Sequence, residues 1–160
     1  MIVVVMGVAG SGKSTVGTML ADAMHCPFLE GDSLHSAANV RKMARGIPLT
    51  DADRAPWLAA IHARLVEAFR SGGHLVVACS ALKQRYRVTL ADGVPITWVY
   101  LKGSETLLRS RLRHRGGHYM KVDMLASQFE ALEEPTDAIV VDVSPSPGVI
   151  VERVLAALNE

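Results

Sequence analysis

The chain has 160 residues, 49% hydrophobic and 21% charged, a balance that fits one globular domain over 1–160 and excludes a disordered chain. Lys and Arg number 17 against 16 Asp and Glu, a formal net charge of +1. That near-neutrality gives no whole-molecule attraction for nucleic acid or an anionic membrane surface, so neither is an expected partner.

The run over 2–6, Ile-Val-Val-Val-Met, is short, largely β-branched and stopped by Gly7, which predicts a central buried strand. It is far below the ~18 residues of a membrane-spanning helix. Only Met1 precedes it, so no basic leader segment is expected. A helix is predicted over 13–24, with Val16, Met19, Leu20 and Ala23 as its apolar stripe. A short second strand over 27–30 runs into Gly31-Asp32. Helices are predicted over 36–44 and 53–70, the second with Trp57, Ile61, Leu65, Ala68 and Phe69 on its buried face. Asp51 or Asp53 is its expected cap, and Pro56 is tolerated where early N–H groups lack helical partners.

Ser71-Gly72-Gly73 ends that helix, and 74–79 is a third buried strand. Then come a helix over 82–90, a turn at Gly93-Val94-Pro95 and a fourth strand over 96–101. Ser104 caps a helix running to about Arg115, where Gly116-Gly117 interrupts it. The region of about 112–125 reads as a small hinged lid. A helix over 122–132, a strand over 138–143, a Ser/Pro loop over 144–147 and a helix over 149–158 close the chain. Strand–helix alternation at this spacing implies an α/β fold, a parallel five-stranded sheet with helices on both faces. Cys26 and Cys79 form neither a CxxC pair nor a zinc spacing, so reduced thiols in the cytoplasm are expected.

Gly7-Val8-Ala9-Gly10-Ser11-Gly12-Lys13-Ser14 matches G-x-x-x-x-G-K-[ST] at every fixed position, after a predicted strand and before a predicted helix. Glycines there permit torsions and close approach that a Cβ would block. The loop N–H groups of Gly7, Ala9, Gly10, Ser11 and Gly12 then face phosphate oxygens at the positive end of a helix dipole. Lys13 neutralises β and γ oxygens, the Ser14 hydroxyl is a ligand for Mg²⁺, and Thr15 is within reach of an α-phosphate. A nucleotide's phosphates and Mg²⁺ are therefore the expected ligands of a P-loop NTPase fold.

A phosphate loop alone does not separate a kinase from a GTPase, a motor or a switch. No N-K-x-D guanine-reading motif is present, and Cys79-Ser80 stand where a motor would carry an acid. The acids follow the second strand instead. Asp32 can orient or deprotonate an acceptor hydroxyl, and Glu30 or Asp32 can hold a magnesium-bound water. Such acids also serve as turn and cap residues. Arg54, Lys83 and Arg87 are cations where an anionic acceptor would need them. Arg111 and Arg115 share a helix face at i and i+4. Lid closure with an arginine would exclude water and prevent hydrolysis. His35 and His118 are candidates for substrate hydroxyls.

Beyond the phosphate loop the chain resembles the gluconokinases, small P-loop kinases built like shikimate and adenylate kinases. The resemblance rests on 28–35 (Phe-Leu-Glu-Gly-Asp-Ser-Leu-His), 39–43 (Asn-Val-Arg-Lys-Met) and 46–58 (Gly-Ile-Pro-Leu-Thr-Asp-Ala-Asp-Arg-Ala-Pro-Trp-Leu). It continues through 79–87 (Cys-Ser-Ala-Leu-Lys-Gln-Arg-Tyr-Arg), 100–103, 117–120 (Gly-His-Tyr-Met) and 128–135 (Gln-Phe-Glu-Ala-Leu-Glu-Glu-Pro). It implies transfer of phosphate from ATP, with Mg²⁺, to the 6-hydroxyl of D-gluconate, by a protein whose family members are often dimers. Carried onto this sequence, it gives Lys13 and Ser14 the phosphates and metal, and Asp32 the acceptor hydroxyl. Arg54, with Lys83 and Arg87, takes the carboxylate, and His35 and Gln128 the hydroxyls. Arg111 lies against adenine, Arg115 meets phosphate, and the loop 144–147 borders the base. Glu30 stands where some members carry Asp. A kinase of another small anionic hydroxy acid such as shikimate, a nucleoside monophosphate kinase, and a nucleotide-dependent switch are the competing readings.

Overall fold

In the computed structural model, which describes residues 1–114 and 124–160, strand β1 (Ile2–Met6) is buried along its whole length. Alternation sends Val3 and Val5 into one core and Ile2, Val4 and Met6 into the other, so both faces of the sheet need cover. Strands β2 (Phe28–Glu30), β3 (Leu75–Ala78), β4 (Ile96–Lys102) and β5 (Ile139–Asp142) join it, all parallel, in the order β2-β3-β1-β4-β5. The helices are α1 (Lys13–Met24), α2 (Ala37–Ala44), α3 (Asp51–Arg70), α4 (Gln84–Leu90), α5 (Glu105–His114), α6 (Met124–Ala131) and α7 (Pro147–Leu158). One face is covered by Val16 and Leu20 of α1, Leu108 and Leu112 of α5, Leu125 of α6, and Ile150 and Val154 of α7. The other carries Trp57, Ile61 and Leu65 of α3 with Tyr86 and Leu90 of α4. This is the expected α/β architecture.

Parallel strands put all five carboxyl ends on one edge, and the connections leave β1 and β3 toward opposite sides of the sheet, β1 to β2 and β3 to β4. Ligands of such sheets bind in the crevice at that reversal. The second strand does not neighbour the first: β3 lies between them. Gly31 opens a one-turn 3₁₀ segment (Gly31–Leu34) that carries Asp32 toward the crevice. A Cβ on Gly31 would stand 2.4 Å from the Ala78 carbonyl oxygen, so only glycine lets the end of β2 approach β3 this closely.

Three local expectations are corrected. In α1 the buried face is Val16, Gly17, Leu20 and Ala21, while Met19 and Ala23 are exposed. Gly17 turns inward because the Phe28 ring presses on it; an added Cβ would lie 2.5 Å from that ring. Helix α3 starts at Asp51, capped by neither Asp51 nor Asp53 but by Thr50, whose Oγ1 accepts from Asp53 N while the Asp53 carboxylate accepts from Thr50 N. The earlier start places Pro56 in the second turn, where it leaves the carbonyl of Ala52, an exposed residue, without its helical donor. Phe69, at the end of α3, is 44% exposed and outside the core.

Candidate active site

Between β1 and α1 the chain turns through Gly12, which caps α1 at φ 93°, a left-handed torsion that glycine adopts without strain. The α1 first turn holds no acidic side chain, so nothing on the helix itself offsets its positive end. Lys13 bends back over the loop, its Nζ donating to the Val8 carbonyl at 3.0 Å. The Ala9 N–H donates to Gln128 Oε1 at 2.7 Å, which ties α6 to the loop. Ser11 is 1% exposed and its N–H donates to the Val8 carbonyl at 3.3 Å, so contrary to expectation that N–H is engaged within the loop rather than offered to a phosphate.

Although β3 separates their strands, the carboxylate of Glu30 accepts a hydrogen bond from the Ser14 hydroxyl. The donors gathered here are all oxygen, the set a hard cation such as Mg²⁺ takes. Among the described residues no group of three or more His, Cys, Asp and Glu side chains could hold a metal by itself. An ion here would therefore complete its shell with water and phosphate oxygens, as Mg²⁺ does.

Two cavities flank the phosphate loop and share Gly10, Gly12 and Thr15. The first opens over β2 and β3 and is lined by Lys13, Ser14, Asp32, His35, Arg54, Trp57, Ser80, Lys83 and Gln128, among others. The second lies toward β5, between Arg111 and His114 of α5 and the loop Ser144, Pro145, Ser146 and Pro147. Arg111 Nη2 donates to the Val143 carbonyl at 2.6 Å, which fixes its guanidinium against that loop. The loop's backbone is thus flanked by a cavity on each side.

In the first cavity Arg54 is held by its Nη1 group, which donates to the Leu49 carbonyl at 2.7 Å and to the Tyr86 hydroxyl at 3.3 Å. Both Nη1 hydrogens are thereby committed. Among the described residues nothing pairs with the Nε–Nη2 edge, the edge that pairs side-on with a carboxylate. Tyr86 in turn donates to Asp51, which also receives Arg85 and, at 3.5 Å, Lys83. The hydrogen bond from Tyr86 holds the Asp51 carboxyl below its usual range, helped by Arg85 and Lys83. His35 stacks on Trp57 with ring centroids 4.2 Å apart and planes 12° from parallel. Trp57 is itself pinned by Nε1 donating to the Gly31 carbonyl at 2.8 Å. Burial lowers the His35 pKa, with the Asp32 charge opposing and Arg54 reinforcing, which favours the neutral ring.

Most of the expected site residues are brought together, but Arg87 is not. It is 4% exposed and spends its donors on the Ala81 carbonyl (2.6 Å), Gln84 Oε1 (3.1 Å) and the Glu133 carbonyl (2.7 Å). It braces the loop after β3, in which Ala81 takes a left-handed φ of 45°, rather than facing the cavity. Arg115, His118 and most of the lid segment 112–125 lie outside the described residues. Cys79 is fully buried beside the site, and burial, with Asp32 adding, pushes its thiol up to about 12, so it is inert. Cys26 is partly buried and also unpaired.

Trp57 lines this cavity, and Tyr86 and Asn39 support it from behind through Arg54 and His35, although sequence reasoning left all three out. Trp57 is three residues beyond Arg54, hence on the same face of α3. Asn39 precedes the buried Met43 by four and is 5% exposed, a polar residue on the buried face of α2. Those spacings were the available signals.

A protein-family model described as an AAA domain matches residues 2–138. The chain is 45% identical over 159 residues to the thermoresistant gluconokinase of Escherichia coli (strain K12), covering 96% of this chain and 91% of that protein. It is 47% identical over 156 residues to the gluconokinase of Gluconobacter oxydans (strain 621H), covering 95% and 88%. The crystal structure of a gluconokinase from Sinorhizobium meliloti 1021 superposes with a TM-score of 0.88 at 49% identity, over 98% of this chain and 90% of that one.

Proposed function

The chain belongs to the gluconokinase family, and on that premise we propose that it transfers the γ-phosphoryl group of ATP to the 6-hydroxyl of D-gluconate, releasing 6-phospho-D-gluconate and ADP. The observation that carries this reading is the pair of cavities meeting at one phosphate loop, an acid and a side-on arginine in the first and Arg111 with the Ser/Pro loop in the second. A switch protein needs only the second.

Phosphoryl transfer asks for alignment and charge neutralisation more than covalent help. The N–H groups of Gly10 and Gly12, with Lys13, receive the triphosphate, those of Gly7, Ala9 and Ser11 being engaged by Ser80, Gln128 and Val8, and the nucleoside lies along Arg111 and the 144–147 loop. The Nε–Nη2 edge of Arg54 takes the gluconate carboxylate, with Lys83 supplying further positive charge. That pairing favours aldonates over neutral sugars, which would leave the guanidinium edge unpaired. With its carboxylate anchored there, an extended polyol points its far end toward the loop. Asp32 accepts the hydrogen of the 6-hydroxyl and aims a lone pair of its oxygen at the γ-phosphorus. Ser14, with Glu30 through a water, would hold a Mg²⁺ ion, which would supply charge neutralisation on the triphosphate. The proposal extends to Arg115 meeting phosphate on a closed lid, to His118 near the sugar, to a homodimer, and to the cytoplasm. Among the described residues no helix is long and apolar enough to cross a membrane.

The test is a coupled ADP-release screen over gluconate, other aldonates, shikimate and nucleoside monophosphates. ADP release dependent on gluconate supports the reading. ATP turnover indifferent to every acceptor would replace it with the switch.

A further inference from the structure

Asn39 touches neither loop nor cavity in the reaction just described, yet it is a buried polar side chain in contact with a cavity residue. Its Nδ2 lies 2.9 Å from the Asp53 carbonyl oxygen and 3.2 Å from His35 Nδ1. A carbonyl oxygen can only accept, so the group facing Asp53 is the amide NH₂ and not the amide oxygen. One hydrogen goes to Asp53, and the other is directed at His35 Nδ1. That ring nitrogen must therefore be the acceptor, and in a neutral imidazole the proton then sits on Nε2.

The surroundings make the arrangement rigid. The Asp53 carbonyl belongs to the first turn of α3, where the capping box fixes the backbone, and the Lys42 ammonium holds the Asp53 carboxylate at 2.9 Å. Asn39 is set on α2 by its own N–H donating to Ser36 Oγ at 3.1 Å. The His35 ring cannot swivel freely because it lies flat against Trp57. Its Nε2 has no protein partner among the described residues, while the ring lines the cavity with Asp32 and Arg54.

We infer that Asn39 is a positioning residue that locks His35 as the Nε2-protonated neutral tautomer, so that His35 offers the acceptor a hydrogen-bond donor and never a lone pair. The inference rests on the gluconate reading for the identity of that acceptor, but the tautomer lock does not. With Asp32 placed to accept a hydroxyl hydrogen, a neighbouring group that only donates completes the pair of roles a polyol hydroxyl can satisfy at once. A locked donor also selects against ligands lacking an oxygen at that point, which would leave Nε2–H buried and unpaired.

The direct test is nitrogen-15 NMR of the ligand-free wild-type protein, with His35 assigned by its loss in His35→Gln. A protonated Nε2 and a bare Nδ1 are expected. Predominant Nδ1 protonation, or the rapid mixture of an unrestrained histidine, would overturn the lock, whatever the substrate. The kinetic arm is a double-mutant cycle. Asn39→Ala should raise the gluconate KM by about tenfold, the loss of one oriented hydrogen bond, with kcat and the ATP KM within about threefold. In the His35→Gln background, whose amide carries its own N–H donors, Asn39→Ala should leave the gluconate KM unchanged. An equal rise in both backgrounds would mean that Asn39 acts only by supporting the fold, and the inference fails. A chain with the expected tautomer that turns over no gluconate keeps the lock and loses the gluconate reading.

Discussion

Replacing Arg87 by methionine separates a brace from a ligand. Methionine keeps most of the side chain's length and apolar volume but removes every donor. The Ala81 carbonyl, on a residue with no solvent exposure, loses the guanidinium that reaches it at 2.6 Å. An orphaned buried acceptor costs about 1–3 kcal/mol. The Glu133 carbonyl and Gln84 amide oxygen belong to exposed residues and can recover water, so each adds only about 0.5–1 kcal/mol. The rule that a buried ion pair can be exchanged for apolar residues at little loss does not rescue the variant, because the acceptors are two backbone carbonyls and the Gln84 amide oxygen, and they stay behind. The sum is about 2–5 kcal/mol. At about 2–4 °C per kcal/mol for a chain of this size, Tm should fall by about 4–20 °C. Thermal unfolding followed by circular dichroism without ligands measures it, alongside gluconate KM at a temperature where the variant is folded. A Tm within about 1 °C of wild type together with a raised gluconate KM would refute the brace and return Arg87 to the carboxylate.

Lys13→Ala should lower kcat/KM for ATP by at least about 10²-fold, the scale of a lost electrostatic partner in the transition state, and near-normal turnover would remove it from the phosphates. Asp32→Asn should reduce kcat by about 10²-fold with gluconate KM little changed; a pure KM effect in steady-state assays would demote it to binding. Arg54→Ala should raise gluconate KM by about 10–150-fold, the worth of charge-assisted hydrogen bonds, and an unaltered KM would dismiss it. The Thr50 N–H, then the Lys42 ammonium, hold the Asp53 carboxyl down to about 2 from 3.8. A carboxyl with a depressed folded pKa stabilises fully above about pH 4 and loses that contribution as pH falls through about 2. Asp53→Asn should therefore flatten the acid limb of a Tm-against-pH curve between those values, and parallel limbs would contradict the assignment.

How far the site could be read from the chain differs residue by residue. The phosphate loop was fully legible because its signal is short-range: glycine spacing, a strand before and a helix after. Arg54 was legible for a similar reason, standing near the start of a helix whose first turns line the cavity. Lys83 and Arg87 looked equivalent, two cations four residues apart after the same strand. Packing separates them, since α4 turns Arg87 inward to meet Glu133, which is 46 residues away. Trp57 read as an ordinary core residue, and it is buried. Nothing local announces that one of its faces supports a histidine.

Strand periodicity, helix caps and the phosphate loop depend on groups a few residues apart, so the sequence alone determined the element order, the α/β class and the nucleotide-binding edge. The order β2-β3-β1-β4-β5, the inward turn of Arg87 and the proton on His35 Nε2 were decided only by the tertiary structure. Each depends on a partner distant in the chain, namely β3 for β2, the Ala81 and Glu133 carbonyls for Arg87, and the Asp53 carbonyl that orients Asn39 for His35. A side chain's proton and charge follow from what surrounds it, and that enclosure exists only once the chain has folded.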